Sequence, residues 1–277
     1  EPPAAPPPAP GPLDPVVSET GGLAKLATIE MATDTSFLTA EERQVVNLLN
    51  RAGDLMSEIY LRQVFARNPE VRAQIDSLDH PQEPLLLEKF DAFFGPWDPI
   101  EEDRPFFGTL KRPPGAGFYP VGLTQAELDS YIAANPDQKE ALLSPYTVVR
   151  RQGDRLVAIP YSVEYREWLE PAARLLEQAA AITSNASLKR FLTLRARAFA
   201  TDDYFESELA WMDLEGTPIE VAIGPYEVYT DGLYGRKTAF EAFVTLKDPG
   251  ESRALDVYKG HLRDMEANLP VEERFKN

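Results

Sequence analysis

The stretch that decides the fold is residues 219–246, IEVAIGPYEVYTDGLYGRKTAFEAFVTL. Val221 and Ile223 alternate with Glu220 and Ala222, a two-residue period that is the pattern of a β-strand. Gly224-Pro225 is expected to break this strand. After a turn that contains two more glycines, residues 239–246 form a last extended run. The stretch therefore predicts short strands separated by a break and a turn.

Between the break and the turn, alternation continues through residues 226–231. A strand at this position would place Glu227, Tyr229 and Asp231 on one face, because successive side chains of a strand point to opposite sides. Such an acidic face fits a binding surface. From the spacing alone, such a face is more often the ordinary solvated side of a sheet.

Glu241 is the one charged residue in the last extended run. A carboxylate among apolar neighbours is costly to bury unless it finds a partner. Arg236 and Lys237 are the nearest cations in the sequence, and we expect Glu241 to have a structural role.

The composition limits the classes of partner. The chain has 277 residues, enough for one large domain or two small ones, and 43% of them are hydrophobic. Its net charge of −17 disfavours nucleic acid and anionic membranes as partners. The absence of cysteine excludes disulfides, zinc–thiolate sites and cysteine nucleophiles. No apolar run approaches the roughly 20 residues that a transmembrane helix needs.

The first 16 residues are dominated by proline and alanine. This composition favours an extended tether, so we expect a flexible tether and lead-in over residues 1–34 and a folded lobe over 35–277. A tether at a terminus that begins with Glu1 suggests an exported protein, either periplasmic or on the cell surface, with a lipid anchor as one form of it. A cytoplasmic protein with an ordinary disordered terminus is the alternative.

The remaining pattern predicts an α+β fold that is mostly helical, with strands near 146–161 and 219–246. Thr39 and Glu42 have the spacing of a capping box. The helix that they begin should continue to about Ala66, because apolar residues recur at helical spacing up to that point.

Three further helices are predicted at 164–183, 187–200 and 252–268. Pro171 should kink the first of them or break it into two. On the second helix, Arg195 is expected on the solvent face.

Familiar catalytic motifs are absent from the 277 residues. The two histidines, His80 and His261, do not belong to an H-E-x-x-H or H-E-x-x-G-H arrangement. No G-x-S-x-G elbow, Walker A loop or G-x-G-x-x-G segment is present. These motifs therefore assign no activity to the chain.

Two segments resemble the zinc peptidases related to dipeptidyl peptidase III. Residues 219–231, IEVAIGPYEVYTD, match the family segment V-E-S-Y-I-G-F-I-E-S-Y-x-D without a gap, and FEAFV at 240–244 matches F-E-G-F-V. In the family, the first Glu and the Tyr two residues later hold the free amino end of the substrate. Glu220 keeps the first role, and Ala222 stands in the position of the Tyr.

The resemblance implies that the chain is the N-terminal half of such a peptidase, one lobe of a two-lobed fold that binds substrate. Glu220 and Glu227 would contact the ammonium group of a peptide, with Tyr229 and Asp231 shaping the wall. The family's H-E-x-x-G-H motif is absent here, so we expect no cofactor and no activity in this chain alone. Zinc is expected in the full-length protein. The expected partners are a peptide substrate and the C-terminal, zinc-bearing half of the same protein.

A second hypothesis is a non-catalytic, exported binding or scaffold lipoprotein. It would use the same helices without a catalytic half. The continuation of the gene beyond Asn277 distinguishes the two hypotheses, because only the peptidase needs an H-E-x-x-G-H segment there.

Overall fold

The computed structural model of the chain describes residues 22–30 and 32–276. Within them the fold is α+β and mainly helical, as predicted. The helices are α1 (Ala40–Val64), α2 (Asn68–Asp76), α3 (Glu83–Phe93), α4 (Gln125–Ala134), α5 (Lys139–Leu143), α6 (Tyr161–Glu164), α7 (Arg166–Ile182), α8 (Ala186–Thr201), α9 (Phe205–Met212), α10 (Pro249–Lys259) and α11 (Leu262–Ala267). The strands are β1 (Trp97–Asp98), β2 (Arg104–Pro105), β3 (Thr147–Gln152), β4 (Arg155–Pro160), β5 (Ile219–Glu227) and β6 (Ala239–Leu246).

The strands form three antiparallel pairs, β1–β2, β3–β4 and β5–β6. The predicted hairpin at 146–161 is confirmed as β3–β4, with Gln152 opposite Arg155 across the turn. The predicted tether at 1–16 lies outside the described residues. Within the described part of the chain, no helix has the length and apolar character that crossing a bilayer requires.

Helix α1 begins where the sequence predicts. The Glu42 backbone N–H donates to Thr39 Oγ1 over 3.1 Å, and the Thr39 backbone N–H donates to Glu42 Oε2 over 2.7 Å. This reciprocal pair satisfies two N–H groups that lack partners inside the helix. The apolar face of α1 then packs against α7 and against the β5–β6 hairpin, and the main core lies between these elements and α8.

Gln63 near the end of α1 fixes the start of β6. Its Nε2 donates to the Thr238 carbonyl oxygen over 3.2 Å, and its Oε1 accepts the Phe240 backbone N–H over 2.7 Å. Gln63 is fully buried. An unpaired buried amide is costly, so this double contact ties the hairpin to α1 at a defined register.

The predicted break at Gly224-Pro225 is wrong, because β5 continues through it to Glu227. Pro225 still pairs with Phe240, and the extra residue is absorbed by a bulge between Pro225 and Glu227. Proline is tolerated at such positions because a bulge leaves an N–H without a ladder partner. The predicted strand at 226–231 therefore ends early, and the residues after Glu227 form a turn.

Arg195 also departs from the sequence-based expectation, since its side chain is fully buried. Its Nη1 donates to the Ile223 carbonyl oxygen over 2.9 Å, and its Nη2 donates to Glu208 Oε1 over 2.7 Å. Three aromatic rings lie 5.3–5.4 Å from the guanidinium carbon, those of Phe191, Tyr204 and Tyr226. The pairing across three elements offsets the cost of burying the charge.

Of the two outcomes predicted for Pro171, a kink or a break, the break does not occur, because α7 continues through this residue. Pro171 has no N–H to donate to the Glu167 carbonyl. The predicted final helix is divided at Gly260 into α10 and α11. The apolar side chains that predicted this helix are exposed rather than packed, at 58% for Leu255, 59% for Tyr258, 58% for Leu262 and 52% for Met265.

Candidate functional site

The β5–β6 hairpin has two chemically different faces. Val221 and Ile223 point inward and are fully buried. Glu220 and Ala222 alternate with them and lie on the outer face, opposite Thr245 and Phe243 of β6. Phe243 is 58% exposed. The outer face therefore presents a carboxylate beside an exposed aromatic ring.

Glu220 lies at the start of β5 with an accessible carboxylate. Its side chain is 41% exposed, and Lys247 Nζ lies 3.4 Å from Oε2. Both partners of this ion pair are in contact with water, so the pair contributes little to stability. The geometry leaves the carboxylate of Glu220 available to a second cation.

Glu227 lies at the other end of the same strand. It lies seven positions after Glu220, which corresponds to roughly 23 Å of extended chain. The structure therefore does not bring these two predicted site residues together. One ammonium group cannot contact both.

Glu227 instead shares a cavity of about 310 Å³ with Glu241. Tyr60, Phe94 and Tyr229 also line this space, which we call the Glu227 cavity. Carboxylates and aromatic faces both attract cations. The arrangement is thus suited to a positively charged group.

Glu241 is not paired with Arg236 or Lys237, the cations nearest to it in the sequence. No ion pair joins it to any residue that the structure describes, and Lys237 is directed elsewhere. Burial raises the pKa of the Glu241 carboxyl, and the negative charge of Glu227 raises it further. A cation bound between the two carboxylates would relieve both effects.

The turn after β5 separates the other two predicted site residues. Tyr229 is 87% exposed and lines the Glu227 cavity, whereas Asp231 is only 3% exposed. Asp231 Oδ1 accepts the backbone N–H groups of Leu233 and Tyr234, each over 3.0 Å. Its Oδ2 accepts three further donors, which are the N–H groups of Arg236 (2.9 Å) and Lys237 (3.0 Å) and the hydroxyl of Tyr119 (3.2 Å). Asp231 thus acts on the wall of the site by ordering the turn.

Lys237 anchors the far side of this turn from a fully buried position. Its Nζ donates to the carbonyl oxygens of Leu142 and Ser144, each over 2.7 Å, and to Thr147 Oγ1 over 2.8 Å. Burial lowers the pKa of Lys237 from its usual 10.5 to about 7, against the opposing effect of the Asp231 charge. The turn is therefore coupled to a titrating group.

This coupling predicts a pH-dependent stability. Above about pH 7 the folded chain releases the Lys237 proton, while the unfolded chain holds it up to about pH 10.4. The unfolded state then binds more protons, so stability increases with pH in this window and decreases as pH falls through 7. Relative to Lys237→Met, the wild-type chain should gain up to about 1.4 kcal/mol per pH unit above neutrality.

Urea unfolding of both chains between about pH 6 and pH 9.5 measures this gain. Lys189→Met removes an exposed lysine of α8 and serves as the control. Its free energy of unfolding should differ from that of wild type by the same amount at every pH in this window. A difference in the free energy of unfolding between wild type and Lys237→Met that does not change with pH would contradict the prediction.

Sequence reasoning missed the partners that complete the Glu227 cavity. Tyr60 and Phe94 belong to α1 and to the end of α3, far from Glu227 in the chain. The register of the hairpin, which places Glu241 opposite Gly224, depends on the strand continuing through Pro225. Within the described residues, no group of three or more His, Cys, Asp or Glu side chains is arranged to hold a metal ion.

Comparison with known proteins gives a consistent set of relatives. No family model matches the chain. The chain is similar to dipeptidyl peptidase III from Caldithrix abyssi, with 48% identity and a TM-score of 0.84 over 88% of this chain and 47% of that one. It is also similar to dipeptidyl-peptidase III from Corallococcus sp. strain EGB, with 37% identity and a TM-score of 0.83 over 92% of this chain and 48% of that one.

A plant protein, Nudix hydrolase 3 from Arabidopsis thaliana, is 27% identical over 309 residues. The alignment covers 92% of this chain and 40% of the plant protein. The chain therefore spans about half the length, or less, of each of these relatives.

Proposed function

The chain corresponds to the N-terminal half of a dipeptidyl peptidase III-like protein, and from this premise we propose that it is the substrate-binding lobe of a zinc-dependent peptidase. The observation that carries the proposal is the similarity of nine-tenths of the chain to one half of two dipeptidyl peptidases. In the proposed whole protein, the other half supplies the zinc and the activated water. This lobe supplies binding and orientation.

In this role, Glu220 receives the free amino end of the peptide. Its carboxylate lies on the outer face of the hairpin, half-exposed and held by a single weak ion pair. A contact between a carboxylate and an ammonium group is charge-assisted, so it orients the peptide as well as binding it. Ala222, in the position of the family's Tyr, leaves room beside the exposed ring of Phe243.

Glu227 has a different role in the proposal, because it lies roughly 23 Å from Glu220 along the strand. We assign the Glu227 cavity to a cationic side chain or a second polar group of the ligand. The excess of acidic over basic residues, 45 to 28, favours positively charged peptides in general.

The exposed apolar side chains of α10 and α11 support a two-part protein. Leu255, Tyr258, Leu262 and Met265 are each more than half exposed. Large apolar side chains that are exposed together can mark an interaction site in soluble proteins. We assign it to the C-terminal, zinc-bearing half. An exported scaffold without such a half is the competing hypothesis.

The amino-end assignment predicts a selective effect of Glu220→Gln. The affinity of the chain for a short peptide with a free amino group should fall about tenfold, which is the loss expected for one hydrogen bond to a charged group. The affinity for the same peptide with an acetylated amino end should not change. Calorimetric titration of both peptides measures the difference.

Two matched variants serve as controls for this test. Glu140→Gln removes an exposed carboxylate of α5 that lies outside the site, and it should affect neither peptide. Glu227→Gln should leave the discrimination between free and acetylated ends intact. If Glu220→Gln weakens the binding of both peptides equally, Glu220 belongs to the solvated face of the sheet instead.

A further inference from the structure

The β5–β6 hairpin has two lateral edges, and its hydrogen bonds show which backbone groups face each of them. The Lys247 N–H donates to the Pro218 carbonyl oxygen over 2.8 Å, so these two residues form a hydrogen-bonded pair. Bonded and non-bonded pairs alternate along an antiparallel ladder. Every second pair, beginning with Ile219 opposite Leu246, is therefore of the non-bonded kind. In such a pair, both residues direct their N–H and C=O groups away from the other strand.

Contacts with side chains agree with this alternation. The Ile223 carbonyl oxygen accepts Arg195 Nη1 over 2.9 Å, and the Phe240 N–H donates to Gln63 Oε1 over 2.7 Å. Both residues belong to non-bonded pairs. Pro225, opposite Phe240, has no N–H that a ladder bond could use. The outward backbone groups of each strand are thus identified.

The edge of β5 is closed by residues of the chain itself. At one end of the strand, the Ile219 N–H donates to Thr217 Oγ1 over 3.1 Å. Further along, Arg195 covers the Ile223 carbonyl, and Val221 between these two contacts is fully buried. This edge lies inside the folded lobe.

The edge of β6 is different, because Gln63 serves only its beginning at Phe240. The next outward backbone groups belong to Ala242, Val244 and Leu246, and all three residues are partly exposed. These outward groups have no hydrogen-bond partner among residues 22–30 and 32–276. A row of free N–H and C=O groups is a template for a further strand. The open segment, 242–246, has about the length of a typical strand.

The chain continues from this open edge into the exposed apolar surface of α10 and α11. Asp248 caps α10 directly after β6, and Leu255 and Tyr258 on that helix are 58% and 59% exposed. The open edge and the exposed helix surface are therefore close in sequence. We take them as parts of one interface.

We propose that a strand from the other half of the protein pairs with the edge of β6, so that β5 and β6 belong to a sheet of at least three strands. The existence of the other half rests on the function proposed above, whereas the open edge rests on the hydrogen bonds of the hairpin. Each dipeptidyl peptidase of the comparison is about twice as long as the part that this chain covers. The remainder is thus long enough to supply the strand.

The hairpin also defines the side chains of the incoming strand. Directly opposite residues of a sheet have their side chains on the same face. Ala242 and Val244 lie opposite Ile223 and Val221, which are fully buried. The incoming strand should therefore be apolar at every second position, where it meets this face.

The test compares amide hydrogen exchange, resolved by residue, in the 277-residue chain and in the protein translated from the complete gene. In the 277-residue chain, the edge amides of Ala242 and Val244 should exchange about a hundredfold faster than the ladder amides of Phe243 and Thr245. In the complete protein, all four amides should exchange slowly. Edge amides that are equally fast in both forms would overturn the proposal, and so would edge amides that are already slow in the 277-residue chain.

Two proline variants separate strand pairing from simple burial of the edge. Val244→Pro removes an outward N–H, a position at which an edge strand tolerates proline. In the complete protein it should raise the exchange rate of the Ala242 amide at least about tenfold, and in the 277-residue chain it should leave that rate unchanged. Thr245→Pro is the control, because it removes a ladder N–H and should accelerate the Phe243 amide in both forms. If Val244→Pro leaves the Ala242 rate in the complete protein unchanged, the edge is covered without strand pairing. The comparison of the two wild-type forms decides the proposal if a proline variant fails to fold.

Other occupants of the edge give different results. Edge amides that slow in the 277-residue chain only as its concentration rises would assign the edge to a second copy of the chain. Edge amides that slow on addition of acetylated trialanine amide would assign it to a peptide ligand. Either result would overturn pairing with the other half.

The exchange experiment uses neither a peptide nor Glu220. Fast edge amides in a complete protein that passes the Glu220 test would overturn this inference alone. Slow edge amides in a protein that fails the Glu220 test would leave the strand pairing standing without the peptide role. A gene that ends at Asn277 would overturn both proposals together.

Discussion

Gly224→Ala is expected to lower the free energy of unfolding by about 2–5 kcal/mol. Gly224 has φ of +147°, a conformation that other residues rarely adopt. A Cβ at this position would lie 2.4 Å from Arg195 Nη1. The guanidinium group cannot withdraw easily, because it is fully buried and hydrogen-bonded to Ile223 and Glu208.

Gly153→Ala is the matched control for this variant. Gly153 lies in the β3–β4 turn with φ of +58°, and a Cβ there would meet no atom within 4 Å. The free energy of unfolding of Gly153→Ala should therefore fall only by the cost of backbone strain, about 1–2 kcal/mol. Urea unfolding of both variants separates strain from steric contact. A loss at Gly224 no larger than that at Gly153 would mean that Arg195 moves freely.

Asp231→Asn is expected to cost about 2–4 kcal/mol, although the two side chains have nearly the same shape. Each carboxylate oxygen accepts at least two backbone N–H groups. Whichever way the amide is oriented, its NH₂ group would face at least two donors. Two backbone N–H groups of the turn would then lose their acceptor.

Chemical denaturation and the near-ultraviolet circular dichroism of the tyrosines measure this change. The variant should also weaken peptide binding in the Glu227 cavity, because the turn carries Tyr229. Asp137→Asn, an exposed change outside the site, should alter neither quantity. Stability equal to that of wild type in Asp231→Asn would show that the turn is held without the charge of Asp231.

Two of the predicted effects, those of Asp231 and Lys237, concern the turn after β5 for a physical reason. This turn is held by buried ionisable groups rather than by apolar packing alone. Buried charges are costly when they lose a partner. The wall of the Glu227 cavity that Tyr229 forms therefore depends on a few hydrogen bonds, and small chemical changes there have large consequences.

The sequence by itself determined the local features of this protein. The capping box of Thr39 and Glu42, the helical period of α1 and the hairpin at 146–161 all depend on residues a few positions apart. Such patterns are set by short-range hydrogen bonds and side-chain spacing. The similarity of residues 219–231 and 240–244 to a peptidase family was also visible without any coordinates.

Only the tertiary structure decided how the site is assembled. Arg195 looks like a surface residue of α8 until Glu208 and the Ile223 carbonyl are placed beside it. Glu241 shares a cavity with Glu227 because β5 continues through Pro225. These contacts join residues that are far apart in the chain. Their energy depends on burial and on three-dimensional partners, which periodicity and spacing along the sequence do not contain.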